Sequence, residues 1–119
     1  MTETVALIRG ARAALLPVLA DSNGLAAIEA IASGVPVIAS SVGALPELVG
    51  TAGILVEPRD PERLAVALAA AWSDEVVHDR ISAAAATRAR GDGQAVRTWR
   101  DVAVEVRSIY ADVSRPGRL

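Results

Sequence analysis

The chain has 119 residues, a formal net charge of −2, 12 dispersed basic residues and no cysteine. Without a basic stripe nucleic acid is not an expected partner, and without thiols there is neither a disulfide framework nor a thiolate metal site, which fits a reducing cytoplasm. The length suits one domain with a single core.

Hydrophobic residues make up 52% of the chain but aromatic ones only 3%, with no Phe, so the core is built from small pieces suited to close helix-on-sheet packing. The N-terminal MTETVALIRG lacks the cationic start and long apolar segment of a signal peptide. No apolar stretch approaches the roughly 20 residues that span a bilayer.

Thr2 and Thr4 offer caps for a first helix whose apolar side, Val5, Leu7, Ile8 and Ala11, stops near Gly10. Ala13 to Pro17 is short, apolar and without alternation, the pattern of a parallel strand buried on both faces. It delivers a polar turn, Asp21 to Gly24, which opens an apolar helix from about Gly24 to Ala32 with Leu25, Ile28 and Ile31 at helical spacing. Gly34 stops it, and Val35 to Ala39 is a second strand, followed by the loop Ser40 to Leu45. Pro46 to Val49 reads as one helical turn with Glu47 at its positive end. A third strand, Gly53 to Val56, leads through EPRD to a helix from Pro61 to Trp72, capped by Asp60, with Leu64, Leu68 and Trp72 as its apolar row. Asp74 to about Arg90 is an alanine-rich helix offering Val76, Ile81 and Ala84 for packing. Arg90 to Gln94 is a break. Ala95 to Val113 places Val96, Trp99, Val102, Val106, Ile109 and Val113 at three- and four-residue spacings of a last helix. The residues divide into a unit over 1–114 and a loose tail over 115–119. Strands alternating with helices through short connections define an α/β, Rossmann-like parallel sheet of about three strands flanked by helices.

The Asp21 turn carries the chemistry. Amides in the first turn of a helix lack intrahelical acceptors and sit at the positive end of the helix dipole, so the turn suits a phosphate. It also falls beyond the carboxyl end of a strand, where open α/β sheets bind ligands, and the Ser40 to Leu45 loop is expected to face the same ligand. Glu29 lies eight residues after Asp21, roughly 12 Å along a straight helix. Carboxylates so placed are repelled by phosphate and are suited to accepting hydrogen bonds from neutral hydroxyls such as a vicinal diol. A nucleotide sugar combines both features.

The run from Ala14 to Gly53, ALLPVLADSNGLAAIEAIASGVPVIASSVGALPELVGTAG, resembles the donor-binding core of family 4 retaining glycosyltransferases of the GT-B fold. Their pattern reads P-S-x-x-E-G-F-G-L-x-x-x-E-A-x-A-x-G-x-P-V-I-A-S, then a loop ending in P-E and a G-x-L-V strand. Gly24, Leu25, Glu29, Ala30, Ala32, Gly34, Pro36, Val37, Pro46, Glu47 and Gly53 fall on matching positions, and a weaker likeness continues to about Tyr110.

The resemblance implies a partial GT-B C-terminal domain that binds a nucleoside diphosphate sugar and transfers a hexosyl unit with retention, without a metal or further cofactor. Asp21 and Glu29 take the positions of the E-x7-E carboxylates at the catalytic centre, Asp21 on the donor hydroxyls and Glu29 on the ribose diol. The backbone around Asn23, Gly24 and Leu25 meets the diphosphate, where preorganised donors stabilise the leaving group. Two departures stand out: Asp21 replaces Glu, and Ser22 and Asn23 replace the usual glycine and aromatic. Asp is one methylene shorter, so its reach changes by roughly 1.5 Å, enough to reroute a hydrogen bond. In the resembling family further strands and an acceptor-binding domain precede this region, so the expected partner is that N-terminal part or a separate chain.

Asp21 reads equally as a turn-capping residue, and Glu47 as a helix-end charge. His78, among charged residues, reads as solvated, as do Arg88, Arg90, Arg97 and Arg100, while Trp72 and Trp99 read as core or interdomain packing. A different class is also open: a noncatalytic module of the same fold that pairs with another chain through its sheet edge and last helix.

Overall fold

A computed structural model describes residues 2–91 and 98–114. The elements are α1 (Thr2–Gly10), β1 (Ala14–Leu16), α2 (Leu25–Ala32), β2 (Val37–Ser40), α3 (Leu45–Val49), β3 (Gly53–Val56), α4 (Pro61–Ser73), α5 (Glu75–Ala89) and α6 (Trp99–Val113). The expected break from Arg90 to Gln94 runs into residues outside this description, and the tail over 115–119 lies wholly outside it.

The three strands are parallel, in the order β1-β2-β3, with Val37 opposite Ala14 on one side and Gly53 on the other. Side chains alternate across this sheet and build two apolar clusters. On one face Ala14, Leu16, Val37, Ala39 and Leu55 meet Ala27, Ala30 and Ile31 of α2, Leu45 and Val49 of α3, and Ala85 of α5. On the other, Ile38, Ile54 and Val56 meet Ala67 and Ala71 of α4 and Ile81 of α5. Helix α5 supplies both clusters and packs on both α2 and α4, tying the two layers together.

The small-residue composition takes effect where the helices meet the sheet. α2 buries Ala27, Ala30 and Ile31, whereas Leu25, expected inside, is 50% exposed. α4 buries Ala67 and Ala71 and turns out two of the three residues expected as its apolar row, Leu68 and Trp72. Alanines on the sheet-facing side let helix and strand backbones approach, and larger side chains at those positions would hold them apart. Val76 is likewise exposed, and Trp72 and Trp99 have no core role among the described residues. β1 also departs from expectation: Leu15 is 42% exposed, because β1 is the edge strand and α4 packs on β3 instead.

Helix boundaries follow their caps. The Asp60 carboxylate accepts the Arg63 amide at 2.9 Å and starts α4, and that of Asp74 accepts the Val76 and Val77 amides to start α5. Thr98 is extended and forms a reciprocal capping box with Asp101, so α6 begins at Trp99; the start expected at Ala95 lies outside the described residues. None of the α6 residues is buried.

Candidate functional site

Because all strands run the same way, the segments after β1, β2 and β3 emerge at one end of the sheet. The chain leaves β1 through Pro17 to Ala20 into the Asp21 turn, and leaves β2 into the loop Ser41 to Ala44. These two segments touch. A Cβ on Gly43 would overlap the Asp21 carbonyl, lying 2.9 Å from its carbon and nearer still to its oxygen, and Gly43 has a φ of +54°. Only glycine meets both demands. The Ser41 amide donates to the Val56 carbonyl at 2.8 Å, which binds the same loop to the end of β3.

The turn is held internally. Gly24, buried and left-handed with φ 61°, is the N-cap of α2. Its amide donates to the half-buried Asp21 carboxylate, and the Leu25 amide donates to Asn23 Oδ1 at 3.3 Å. The Ile28 amide returns to the Gly24 carbonyl at 2.9 Å, the first bond of the helix. Between them the amides of Ala26 and Ala27 have no acceptor among the described residues; Ala27 is fully buried, so of the first four donors Ala26, on an exposed residue, is the one left open. Below the turn the Gly24 backbone lies against α3: a Cβ there would overlap Leu48 Cδ1 and stand 3.6 Å from Leu45 Cδ2.

Glu29 is exposed, and its carboxylate has no hydrogen bond or ion pair among the described residues, so its acceptor capacity is available. Thus Asp21, Asn23, Gly24 and Leu25 form one hydrogen-bonded turn, with Glu29 on the helix that grows from it. Glu47 is exposed in the first turn of α3, where it complements the helix dipole.

Two residues read as solvated from the sequence are not. His78 keeps only 18% of its side chain exposed, with Nε2 3.2 Å from Ser82 Oγ and Nδ1 3.6 Å from Asp79. Its possible ligand atoms and those of Glu75 and Asp79 lie within 4.8 Å of one another, but Glu75 is ion-paired with Arg12 at 2.9 Å, which already sets a cation on this cluster. Arg88 turns inward and donates from Nη1 to the carbonyls of Leu48 and Val49, the latter at 3.1 Å. Gly43 and Leu48 are residues of this region that sequence reading did not single out, and Arg88 is one that it placed on the solvated face. Gly43 had a local signal, a glycine in a loop following a strand, whereas the carbonyl partners of Arg88 lie about 40 positions away.

A parallel Rossmann-like sheet whose loops gather at its carboxyl end is the architecture in which open α/β proteins place their ligands. Residues 1–74 match the family model of glycosyl transferases group 1, and the chain belongs to that family. It is 35% identical over 119 residues to a glycogen synthase of Mycobacterium tuberculosis, covering 98% of this chain and 28% of that protein. It is 38% identical over 113 residues to a D-inositol 3-phosphate glycosyltransferase of Corynebacterium glutamicum, covering 93% and 26%. Among solved structures, sucrose-phosphate synthase from Thermosynechococcus elongatus superposes with a TM-score of 0.72 at 30% identity, over 93% of this chain and 28% of that one. The fold is that of part of a GT-B C-terminal domain, and the chain spans about a quarter of the length of these relatives. Among the described residues no helix is long and apolar enough to cross a membrane.

Proposed function

We propose that this chain forms the nucleotide-sugar side of a retaining GT-B glycosyltransferase that moves a hexosyl unit from a nucleoside diphosphate sugar to an acceptor hydroxyl. The observation that carries this is the closed turn at the head of α2, with an unpaired amide on the exposed residue Ala26 and an unpartnered Glu29 carboxylate one helical turn beyond it. The diphosphate rests on the positive end of α2, while Glu29 accepts hydrogen bonds from the ribose diol. The amides of Gly24 and Leu25 join the phosphate contacts only if Asp21 and Asn23 release them, so the donor competes with an internal carboxylate for the turn. A freed Asp21 then faces the donor hydroxyls.

Stabilising the departing diphosphate is the chemical contribution this part makes, since fixed amides directed at developing charge need no reorganisation during the reaction. The reading requires no metal or further cofactor. In it, acceptor binding and the rest of the donor cleft belong to sequence outside these 119 residues, in the same polypeptide or a partner chain, and the cytoplasm supplies the donor.

A second reading has its own observation. α6 exposes Trp99, Val104, Ile109, Tyr110 and Val113, as a chain that acts by pairing with another would. Calorimetric and thermal-shift titration with a panel of nucleoside diphosphate sugars, alone and with any protein encoded beside it, separates the two. Heat and a raised melting temperature support the transferase reading, and neither in both arrangements supports the pairing module.

A further inference from the structure

The Arg88 side chain reaches from the last turn of α5 to the end of α3. Its Nη1 meets the carbonyls of Leu48 and Val49, the last two residues of α3; the Val49 carbonyl also accepts the Ala52 amide at 2.8 Å, whereas no other donor among the described residues meets that of Leu48. A guanidinium there satisfies the Leu48 carbonyl, adds a second donor to that of Val49 and opposes the negative end of the helix dipole. A five-residue helix has little stability of its own, so this anchor fixes where α3 sits.

α3 in turn touches the candidate site from below. Leu48, whose carbonyl Arg88 holds, packs its Cδ1 against Gly24, the N-cap of α2. The loop leading into α3 presses Gly43 against the Asp21 carbonyl. One short helix and its leading loop therefore grip both ends of the Asp21 to Gly24 turn. The load passes through backbone on one side and through a single side chain on the other.

We propose that Arg88 is a positioning residue for the diphosphate seat, acting through Leu48 to hold Gly24 and the amides that follow it in register. The proposal rests on the donor-binding reading above. It assigns to a guanidinium outside the turn a share of the affinity for a nucleoside diphosphate, with no contact to the ligand. The interaction is directional: two carbonyls are met by one planar donor, so a lysine replaces the charge but only part of the geometry.

The test uses Arg88→Met and Arg88→Lys with two readouts. Amide hydrogen exchange without ligand is expected to accelerate in Arg88→Met at Leu48, Gly50 and Gly24, while Ile38 and Val56 in the sheet keep their protection. Titration with inorganic pyrophosphate, UDP-glucose and GDP-mannose is expected to show affinity per folded molecule about tenfold weaker in Arg88→Met and about threefold weaker in Arg88→Lys, in the range for substitutions that touch no ligand. Should Arg88→Met fail to fold, Arg88→Lys carries both comparisons. If the wild-type chain binds and the variants bind equally well with unchanged exchange at Gly24, Arg88 has no positioning role and the donor-binding reading stands. If the wild-type chain binds none of the probes, either alone or with any protein encoded beside it, the donor-binding reading falls, and unchanged exchange at Gly24 in the variants then overturns the positioning role as well.

Discussion

Gly43→Ala gives the sharpest test of the site's construction, provided it is read beside Gly91→Ala. Both glycines have positive φ, +54° and +79°, so each alanine bears a left-handed backbone at about 1–2 kcal/mol. Gly91 has nothing among the described residues within 4 Å of an added Cβ, so that strain is the effect expected there. At Gly43 the Cβ would lie 2.9 Å from the Asp21 carbonyl carbon and closer to its oxygen, where ordinary contact starts at 3.4 Å. The obstacle is backbone and cannot rotate away. The Ser41 to Ala44 loop and the Asp21 turn must part by about 1 Å or more, which is a large displacement for positioned groups. The parting strains the Leu45 amide bond to Val42 at 3.1 Å and the Asp21 bond to the Gly24 amide, each with a net contribution of about 1 kcal/mol. Urea unfolding followed by circular dichroism is therefore expected to show a loss of about 2–4 kcal/mol for Gly43→Ala against about 1–2 for Gly91→Ala. Donor affinity is expected to fall at least about tenfold in the first and to hold in the second. Equal stability losses with donor binding intact in both would refute the account of the site as two loops in backbone contact.

Three further expectations follow from the same geometry. Glu29→Ala should weaken nucleotide-sugar binding by about 1–3 kcal/mol while shifting stability by no more than about 0.5, because the side chain is exposed and unpaired; unfolding with intact affinity per folded molecule would make Glu29 structural instead. Asp21→Ala removes the acceptor of the Gly24 amide and should cost about 0.5–2 kcal/mol, whereas Asp21→Asn keeps an acceptor and should stay near wild type in stability. A weaker donor titration in a stably folded Asp21→Asn would show that the carboxylate meets the sugar as well as the turn. Arg59, exposed with φ +64°, is the non-glycine residue with positive φ among those described, so Arg59→Gly should hold or raise the unfolding midpoint, with at most about 1 kcal/mol gained; a clear loss would mean that its side chain does structural work.

The sequence showed most clearly those features whose cause is local. β3 matched its expected span because Gly53 and the EPRD turn bracket a short β-branched run, and α4 and α5 began where Asp60 and Asp74 could cap them. The turn at the head of α2 was legible in kind, since Asp, Asn and Gly before an apolar helix carry their own hydrogen-bonding logic. Burial was not legible in the same way. LAAIEAIA is apolar on nearly every side, so periodicity could not choose between a leucine-facing and an alanine-facing packing, and the sheet selected the alanines. Arg88 lay beyond reach for a different reason. A guanidinium on an alanine-rich helix looks solvated until the carbonyls it meets, 39 and 40 positions away, are brought beside it by the packing of α5.

These two kinds of information meet in the way the site is made rigid. A core with few aromatic residues cannot wedge its loops apart with large side chains and then fill the gaps, so its loops approach backbone to backbone. Gly43 lies on the Asp21 carbonyl, and a Cβ on Gly53 would come within 2.8 Å of the Val37 carbonyl carbon on the neighbouring strand. Contacts of that kind tolerate almost no added volume but need no side-chain ordering, so the conformational entropy that long side chains lose on folding is largely avoided there. Among the described residues the long charged side chain in the support is Arg88, and it ends on the carbonyls of Leu48 and Val49 at the C-terminus of α3. Under the proposed function a diphosphate seat assembled this way would be preorganised by main chain, which would leave Asp21 and Glu29 as the side chains whose length and charge set what binds on either side of it.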